Sequence, residues 1–464
     1  MTTMFQKLSQ RLRPSEDVDR DAGLTLVEVM VAMMVFAIIS VGVAYSITNA
    51  LVLTRESRAR AIATNLAAQQ VDLVRATQNV FTVDAKEIDS RVSGIDFRLS
   101  QTVRWVDSTS TVTDCGTGTG TLQYKAVTIS VSYTGQRSIT APVTTETVLA
   151  PSDRINDPAL GTIVVKVTGA GGTGNPGVAV AIAPAAVPNG ASAPTTPAVT
   201  NTQGCTYALK VKPGNYSVGV VESGNLDIKQ VAAPKTTPVV VKAGTSSSVS
   251  FTYDTAATYT LKYASNYSSS VLLPTDLETT FVSTLGGVQT VKSAANPATL
   301  FPVAYTVMAG GYVAPIKDDK GVVTNTPCVD VDPSAWAATP GNGAGQPLTA
   351  VAAPPGGTAT VDVPMGVVRL PKMNGTATVV ATSVGTKANG DPGCNTNKAY
   401  TFTVSGQKDV ALPFGTWKFS VVVLDLLGVV TAQSPVTLDA DAIRTRGTID
   451  KSTGAATLDP RPAG

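Results

Sequence analysis

The stretch "GLTLVEVMVAMMVFAIISVGVAY", residues 23–45, decides the fold of the N-terminal part of this chain. It is a long apolar run with one ionisable side chain, Glu28. From Leu24 to Leu53 the sequence contains no other charged residue and no proline, and a helix of that length is about 45 Å long. Because the hydrocarbon core of a bilayer is roughly 30 Å thick, the run predicts a membrane-spanning helix.

The helix is expected to continue beyond the apolar run. Residues 54–80, "TRESRARAIATNLAAQQVDLVRATQNV", are rich in good helix formers, and no proline occurs between Ser15 and Ala141. Apolar residues recur there at heptad spacing, and Ile62 lies on the same stripe; these residues are Ala59, Leu66, Leu73 and Val80. The pattern predicts one helix from about Leu24 to about Val80, with an amphipathic second half that packs on a globular domain.

Glu28 needs an explanation, because an ionised carboxylate in hydrocarbon is costly and such residues usually have a partner and a function. If the chain were cut after Gly23, Leu24 would carry a free α-amine four residues before Glu28. Residues at this spacing lie on one helix face. The carboxylate could then neutralise an amine on its own helix or on a neighbouring one, which would set the register of helices packed side by side.

Gly23 followed by "LTLVEVMVAMMVFAIIS" resembles the type III signal of the type IV prepilin family. The resemblance implies a leader of residues 1–23, cleavage after Gly23 by a prepilin peptidase, N-methylation of Leu24, and Glu28 as the assembly carboxylate. It also implies a cytoplasmic N-terminus, storage in the cell membrane, and later assembly with other pilin subunits into an extracellular filament. The sequence departs from the family in having Leu at position 24, where Phe is usual, and in its long leader.

Two other interpretations of the N-terminus remain open. The segment could be an uncleaved signal anchor in which Glu28 is incidental. It could also be a secretory signal cut after Ala44, at "VGVA", although that cut would separate the amphipathic helix from its anchor.

Composition excludes several classes of function. The 464 residues contain no histidine, so the commonest general base and metal ligand are missing. The net charge is only +2, with basic residues scattered along the chain, so no nucleic-acid partner is expected. The sequence suggests no cofactor.

Four cysteines, an even number in an exported protein, suggest two disulfides. Three pairings are possible. We favour Cys328–Cys394 with Cys115–Cys205 as the remainder, and free buried thiols stay an alternative. A zinc site is not expected, because there is no CxxC pair and no histidine.

Alternating segments after the helix predict strands. Ile95, Phe97, Leu99, Val103 and Trp105 share one face, as do Val127, Ile129, Val131 and Tyr133, and a third strand is expected near Thr144–Leu149. These strands predict an α+β, pilin-like N-terminal part with a small antiparallel sheet, followed by all-β, sandwich-like modules.

A short motif occurs twice in the later part of the chain. "KPGNYSVGV", with Pro213, Gly214 and Tyr216, is echoed by "LPFGTWKFSVVV", with Pro413, Gly415 and Trp417. Proline and glycine form a turn, and the aromatic residue begins a strand. The pattern resembles the carboxypeptidase-regulatory-like or transthyretin-like β-sandwiches of bacterial surface proteins.

The sequence therefore predicts the following organisation. Residues 1–23 are the leader, 24–80 the helix (24–53 in the membrane or filament core), 81–150 a pilin-like β head, 151–160 a linker, 161–254 a β-sandwich, 255–365 an irregular β region, 366–432 a second sandwich, and 433–464 a strand and tail that is unstructured after Lys451.

No active site is evident, so we do not expect an enzyme. Gly169, Gly171 and Gly174 form a GxGxxG, but Pro176 and a strand follow it instead of a helix. The acidic pairs Asp318–Asp319 and Asp330–Asp332 could hold calcium or act as acid and base, and solvated loops are the favoured interpretation. Among aromatics that could bind sugar, Trp105 and Trp417 are expected in cores and Trp336 at the surface.

These observations favour a minor pilin, present at the tip or in low abundance, that displays β modules for adhesion to an unknown surface ligand. A pseudopilin of a type II secretion or DNA-uptake machine is the alternative within the family. A signal-anchored surface protein without an assembly role is the alternative outside it.

Overall fold

A computed structural model describes residues 25–77, 79–107, 112–113, 115–116, 122–136, 141–150, 157–292, 296–385, 389–424 and 430–462. The chain forms two compact units. The first comprises the N-terminal helix with residues 87–101 and 128–147, and the second comprises residues 77–86, 102–127 and everything from Val148 onward. One long helix followed by many β-sheets confirms the predicted fold class.

Helix α1 extends from Leu26 to Arg75 as a single element. The side chain of Thr25 caps its start by accepting a hydrogen bond from the Glu28 backbone amide at 3.3 Å. The helix ends before the predicted Val80, because Asn79 starts a separate 3-10 turn, Val80–Thr82, by accepting a hydrogen bond from the Phe81 amide through its side chain.

The buried face of α1 differs from the predicted heptad stripe. Leu73 is 59% exposed, and Ile62 and Leu66 are only partly buried. The residues that are buried are mostly small and lie at a spacing of three or four: Ala59, Ala63, Ala67, Gln70, Val71 and Val74. The heptad prediction weighted large apolar side chains, whereas small ones allow closer packing.

Five strands form the first sheet, in the order β1-β2-β4-β5 with β3 paired antiparallel to β2. Their bounds are β1 Lys86–Val92, β2 Ile95–Asp107, β3 Val112–Thr113, β4 Leu122–Tyr133 and β5 Val143–Leu149. All nine apolar residues predicted on the inner faces of the first two alternating segments are buried. Within the first unit, Gln101 takes an inner position of β2, where its Oε1 accepts a hydrogen bond from Gln70 Nε2 of α1 at 2.8 Å.

Seven strands form a β-sandwich with its own apolar core. They are β6 Gly161–Thr168, β7 Ala179–Pro184, β8 Cys205–Val211, β9 Gly214–Val221, β10 Asn225–Asp227, β11 Lys235–Val241 and β12 Ser246–Thr255. One sheet has the order β10-β12-β6-β8 and the other the order β11-β9-β7. Strands β6 and β12 pair in parallel, and the core between the sheets is rich in valine.

Twelve further strands follow, and most of them contribute to a second apolar core, which includes residues from Ala257 to Leu458. They are β13 Ala257–Tyr263, β14 Glu278–Ser283, β15 Val288–Lys292, β16 Ala298–Leu300, β17 Tyr305–Ala309, β18 Thr358–Val363, β19 Gly366–Ser383, β20 Ala399–Leu412, β21 Gly415–Leu424, β22 Val430–Pro435, β23 Gly447–Asp450 and β24 Ala455–Leu458. They form sheets β16-β13-β18, β15-β14-β17 and β20-β19-β21-β24-β23, with β22 on β21. We call this part, residues 257–462, the distal β domain.

The repeated Pro/Gly/aromatic motif makes the same local structure twice. Tyr216 is fully buried and its hydroxyl donates to the Lys212 carbonyl at 2.8 Å, while Trp417 Nε1 donates to the Pro413 carbonyl at 2.9 Å. Gly214 and Gly415 have φ of +150° and +130°, and a Cβ on either would lie within 2.5 Å of another residue. Each glycine is therefore required by both its conformation and its packing.

The end of the chain corrects one prediction. Residues after Lys451 were expected to be unstructured, but β24 lies inside the largest sheet, and Ala456 and Leu458 are fully buried. The four-residue strand was missed because it is too short to show a reliable alternation.

Two disulfides join the four cysteines as Cys115–Cys205 and Cys328–Cys394, the pairing favoured from the sequence. The first joins the segment between β3 and β4 to the start of β8, and the second joins two loops of the distal β domain. Both bonds close long loops, with sequence separations of 90 and 66 residues.

Candidate assembly site on the N-terminal helix

Among the described residues of its unit, the first half of α1 has no packing partner. Every residue from Leu26 to Thr48 is exposed, including large apolar side chains such as Leu26 (76%) and Phe36 (73%). Within the described residues, α1 is the one helix that is long and apolar enough to cross a membrane. Since contiguous exposed apolar surface of this size is unstable in water, this half of the helix needs lipid or other helices around it.

Three hydroxyl groups in or next to the apolar span form hydrogen bonds within the helix itself. Ser46 Oγ donates to the Gly42 carbonyl at 2.8 Å, Thr54 Oγ1 donates to the Ala50 carbonyl at 2.7 Å, and Thr48 bonds the Ala44 carbonyl in the same way. Such bonds from residue i to i−4 remove the cost of placing a hydroxyl in hydrocarbon. Glu28 is then the one charged side chain of the span.

Glu28 lies in the first turn of α1 and is exposed. The partial positive charge at a helix N-terminus favours a carboxylate at this position. Of the three residues predicted for processing and assembly, the structure places only this one, because Gly23 and Leu24 lie outside the described residues. Cleavage after Gly23 and methylation of Leu24 therefore stay predictions.

Thr25 is a residue of this site that the sequence interpretation missed. Its side chain accepts the Glu28 amide, and Thr25-x-x-Glu28 has the spacing of a capping box. That signal is present in the sequence and could have located the start of the helix at Leu26.

The acidic pairs have different environments. Asp318 is exposed and accepts the backbone amides of Lys320 and Val322, as in an ordinary turn. Asp332 is half-buried, and its Oδ1 accepts hydrogen bonds from both the amide and the hydroxyl of Ser334. Asp330 contradicts the expected solvated loop, because it is only 2% exposed. Burial, together with the charge of Asp391, raises the pKa of Asp330 to about 8.

The three tryptophans are all buried, so the prediction was confirmed for Trp105 and Trp417 and wrong for Trp336. Trp336 is 1% exposed, its Nε1 donates to the Asp330 carbonyl at 2.8 Å, and the Arg461 guanidinium lies 5.3 Å from the centre of its ring. A proline- and glycine-rich loop can thus bury an aromatic residue when an arginine from a distant segment covers it.

Two other candidate sites have structural explanations. The glycine-rich segment with Gly169, Gly171 and Gly174 is a turn between β6 and β7, so a strand follows it rather than the helix that a dinucleotide site requires. The sulfur atoms of Cys328 and Cys394 lie close to the Asp330 carboxylate, but they form a disulfide and offer no thiolate to a metal ion.

Comparison with known proteins identifies the N-terminal signal. The family profile described as "Prokaryotic N-terminal methylation motif" matches residues 19–44. The chain therefore carries a prepilin-type N-terminus, as its resemblance predicted, and that motif implies processing by prepilin peptidase, membrane anchoring and assembly with pilin subunits. No curated protein sequence matches this chain significantly.

Several solved structures align with the chain. The Bacillus anthracis TIE protein is 11% identical, with 77% of this chain and 71% of that chain covered and a TM-score of 0.18. BcpA, the major pilin subunit of Bacillus cereus, is 10% identical, with 60% and 95% covered and a TM-score of 0.17. A streptococcal ancillary pilin is 9% identical, with 57% and 81% covered and a TM-score of 0.17. TM-scores this low do not establish a shared fold.

Proposed function

We propose that this protein is a minor pilin, held in the cell membrane by α1 as a single-pass subunit with a cytoplasmic N-terminus, and then built into a type IV pilus-like filament. The observation that carries the proposal is the unpartnered apolar half of α1 with Glu28 as its one charge, inside a matched N-methylation motif. In a bundle of such helices, Glu28 of one subunit neutralises the new N-terminal amine of another.

The size of the part outside the helix supports a minor role. The β-sandwich and the distal β domain together occupy residues 161–462. Such bulk on every subunit would crowd a tight helical lattice, whereas a tip or rare subunit avoids this. We propose that the β domains are carried outside the cell to contact a surface ligand, and that the protein has no catalytic role.

Two measurements test the proposal. One determines the N-terminal residue of the mature protein, and the other measures how much of a Glu28→Ala variant is incorporated into filaments. N-terminal mass spectrometry of protein from the native host should give N-methyl-leucine at position 24. Glu28→Ala should remain in the membrane fraction but decrease at least tenfold in sheared filaments, because the amine loses its counter-charge. Asp72→Ala is the matched control, since Asp72 is an exposed carboxylate on the same helix, and it should assemble normally.

The other outcomes separate the alternatives. An intact Met1 would indicate a signal anchor, and a terminus after Ala44 would indicate a secreted β protein; either result refutes the pilin proposal. Assembly that depends on Glu28, but only into short filaments of a secretion or uptake machine, would indicate a pseudopilin.

A further inference from the structure

Three carboxylates are buried together in the distal β domain. Asp330, Asp391 and Asp459 are 2%, 1% and 9% exposed. The negative charge of Asp391 acts on Asp330, and that of Asp459 acts on Asp391. Burial also raises the pKa of Asp391, although the Thr416 hydroxyl, which donates to it at 2.6 Å, opposes the shift. Burying these groups in their ionised form costs free energy, which a proton or a paired cation offsets.

Arg461 is the cation with the most contacts in this region, and its side chain is fully buried. Its guanidinium bonds both oxygens of Asp459, with Nη2 to Oδ2 at 2.8 Å, and it also donates to the carbonyls of Ala337 and Asn389. Together with the stacking on Trp336, these contacts join one arginine to three separate loops. The second cation, Arg446, is farther from Asp459, at 3.9 Å, and one-third exposed.

Strand β24 brings Arg461 to this position. It pairs with β21 on one side and with β23 on the other, so it joins these two strands within the largest sheet. Thr457 Oγ1 lies 3.0 Å from Thr416 Oγ1, which is itself bonded to Asp391, and the Leu458 side chain fills space that Gly366 leaves free. We call residues 455–462 the closing segment. It contributes apolar side chains to the core and Arg461 to the acidic cluster.

We propose that the closing segment is a clasp: the distal β domain closes only when residues 455–462 dock, and Arg461 supplies the positive charge that lets the Asp459 carboxylate be buried beside Asp391 and Asp330. These residues follow the other described strands of the domain along the chain. The domain can therefore close only after nearly all of it has been synthesised and exported. The inference does not depend on the pilin proposal, because it concerns the distal β domain alone.

The clasp predicts how the closing equilibrium depends on pH. Without Arg461, closure requires Asp459 to bind a proton in place of the lost guanidinium, because Asp459 is the carboxylate that Arg461 contacts directly. If closing takes up one additional proton, each rise of one pH unit lowers the closing equilibrium constant about tenfold. This holds between the pKa of the group in the open state and its pKa in the closed state. A side chain that contributed only packing would not change this pH dependence.

The experiment compares Arg461→Met with wild type in the full-length protein in detergent. Denaturant unfolding of the distal β domain is followed between pH 5 and pH 8, with amide hydrogen exchange of β21 and β24 as the readout. We expect the variant's closing constant to fall by a further factor of about ten per pH unit relative to wild type. Adding Asp459→Asn should restore most of the loss at pH 8, because one buried charge is then removed.

Arg369→Met is the matched control, because it also breaks a bidentate arginine–aspartate pair, with Asp409, in the same domain. Between pH 5 and pH 8 it should not steepen the pH dependence in the same way, because Asp409 keeps the hydrogen bond from the Tyr267 hydroxyl and the nearby charge of Arg444. A loss of stability in Arg461→Met that is equal at pH 5 and pH 8, or that Asp459→Asn does not relieve, would overturn the proposal.

Discussion

At the scale of single residues, buried charges are the feature that the sequence did not disclose. Asp330 and Asp332 are two positions apart, yet one is buried and the other caps a turn. Lys125 is 1% exposed, donates to the Val83 carbonyl at 2.9 Å and lies over the Trp105 ring, and burial lowers its pKa to about 8 although Asp84 opposes the shift. Asp330 lies in a loop, where no periodicity signals burial, whereas Lys125 lies in β4 on the buried face that includes Val127, where the alternation indicates the position but not the partners.

Asp330 predicts a pH dependence of stability. Its folded-state pKa of about 8 lies above the ordinary value of 3.8, so the folded protein keeps a proton that the unfolded chain releases. Its contribution is fully present below about pH 4 and is lost as the pH rises through about 8. Asp330→Asn should therefore reduce the decline in unfolding free energy between pH 5 and 8, by up to about 1.4 kcal/mol per pH unit.

Denaturant titrations of the full-length protein at several pH values measure this effect. Asp332→Asn is the control, because it changes a neighbouring carboxylate that lies in a turn and leaves Asp330 in place, so the decline between pH 5 and 8 should persist in this variant. Parallel profiles for wild type and Asp330→Asn would contradict the assignment of the buried proton.

At the scale of elements, the sequence predicted the structures that depend on local pattern. The single long helix, the alternating strands β2 and β4, and both Pro/Gly/aromatic turns follow from periodicity and turn chemistry. The buried face of α1 did not follow, because alanine adds little to an apolar pattern even where close packing requires a small side chain.

The small residues on α1 predict a steric limit. Ala63 is fully buried, so Ala63→Leu adds volume where there is no free space and should destabilise the first unit by about 1–3 kcal/mol. Ala61→Leu, on the exposed side of the same turn, should change stability by less than about 0.5 kcal/mol. Hydrogen exchange of the β2 amides measures both, and equal protection in the two variants would show that Ala63 does not face the packed side.

At the scale of the whole molecule, long-range pairing limits prediction from sequence. The distal β domain is held together by contacts such as the parallel pairing of β13 with β18, where Thr258 lies opposite Thr358. No local signal specifies such a partner. The sequence therefore divided residues 255–464 into an irregular region, a second sandwich and a tail, and it did not indicate that they share one core. Within the second unit, residues 102–127 are likewise tied to the β-sandwich, by Cys115–Cys205 and by Trp105 Nε1 donating to the Tyr207 hydroxyl at 2.7 Å.

Both disulfides should contribute similarly to global stability. Their loops of 90 and 66 residues correspond to about 4.6 and 4.4 kcal/mol in the chain-entropy estimate. Replacing Cys115 and Cys205 by serine, or Cys328 and Cys394 by serine, should each lower the unfolding free energy by about 2–5 kcal/mol. Denaturant unfolding of the two double variants provides the comparison, and a loss below about 1 kcal/mol for one of them would show that its loop is already constrained.

The uninterrupted apolar span of α1 also has a geometric consequence. From Leu26 to Leu53 the helix is about 42 Å long, which exceeds a bilayer core of roughly 30 Å. To bury this length in a membrane, the helix must tilt, kink or thicken the lipid around it, and each of these costs a modest free energy through hydrophobic mismatch. In the proposed pilin, this cost of mismatch is relieved when the helix leaves the bilayer for the filament.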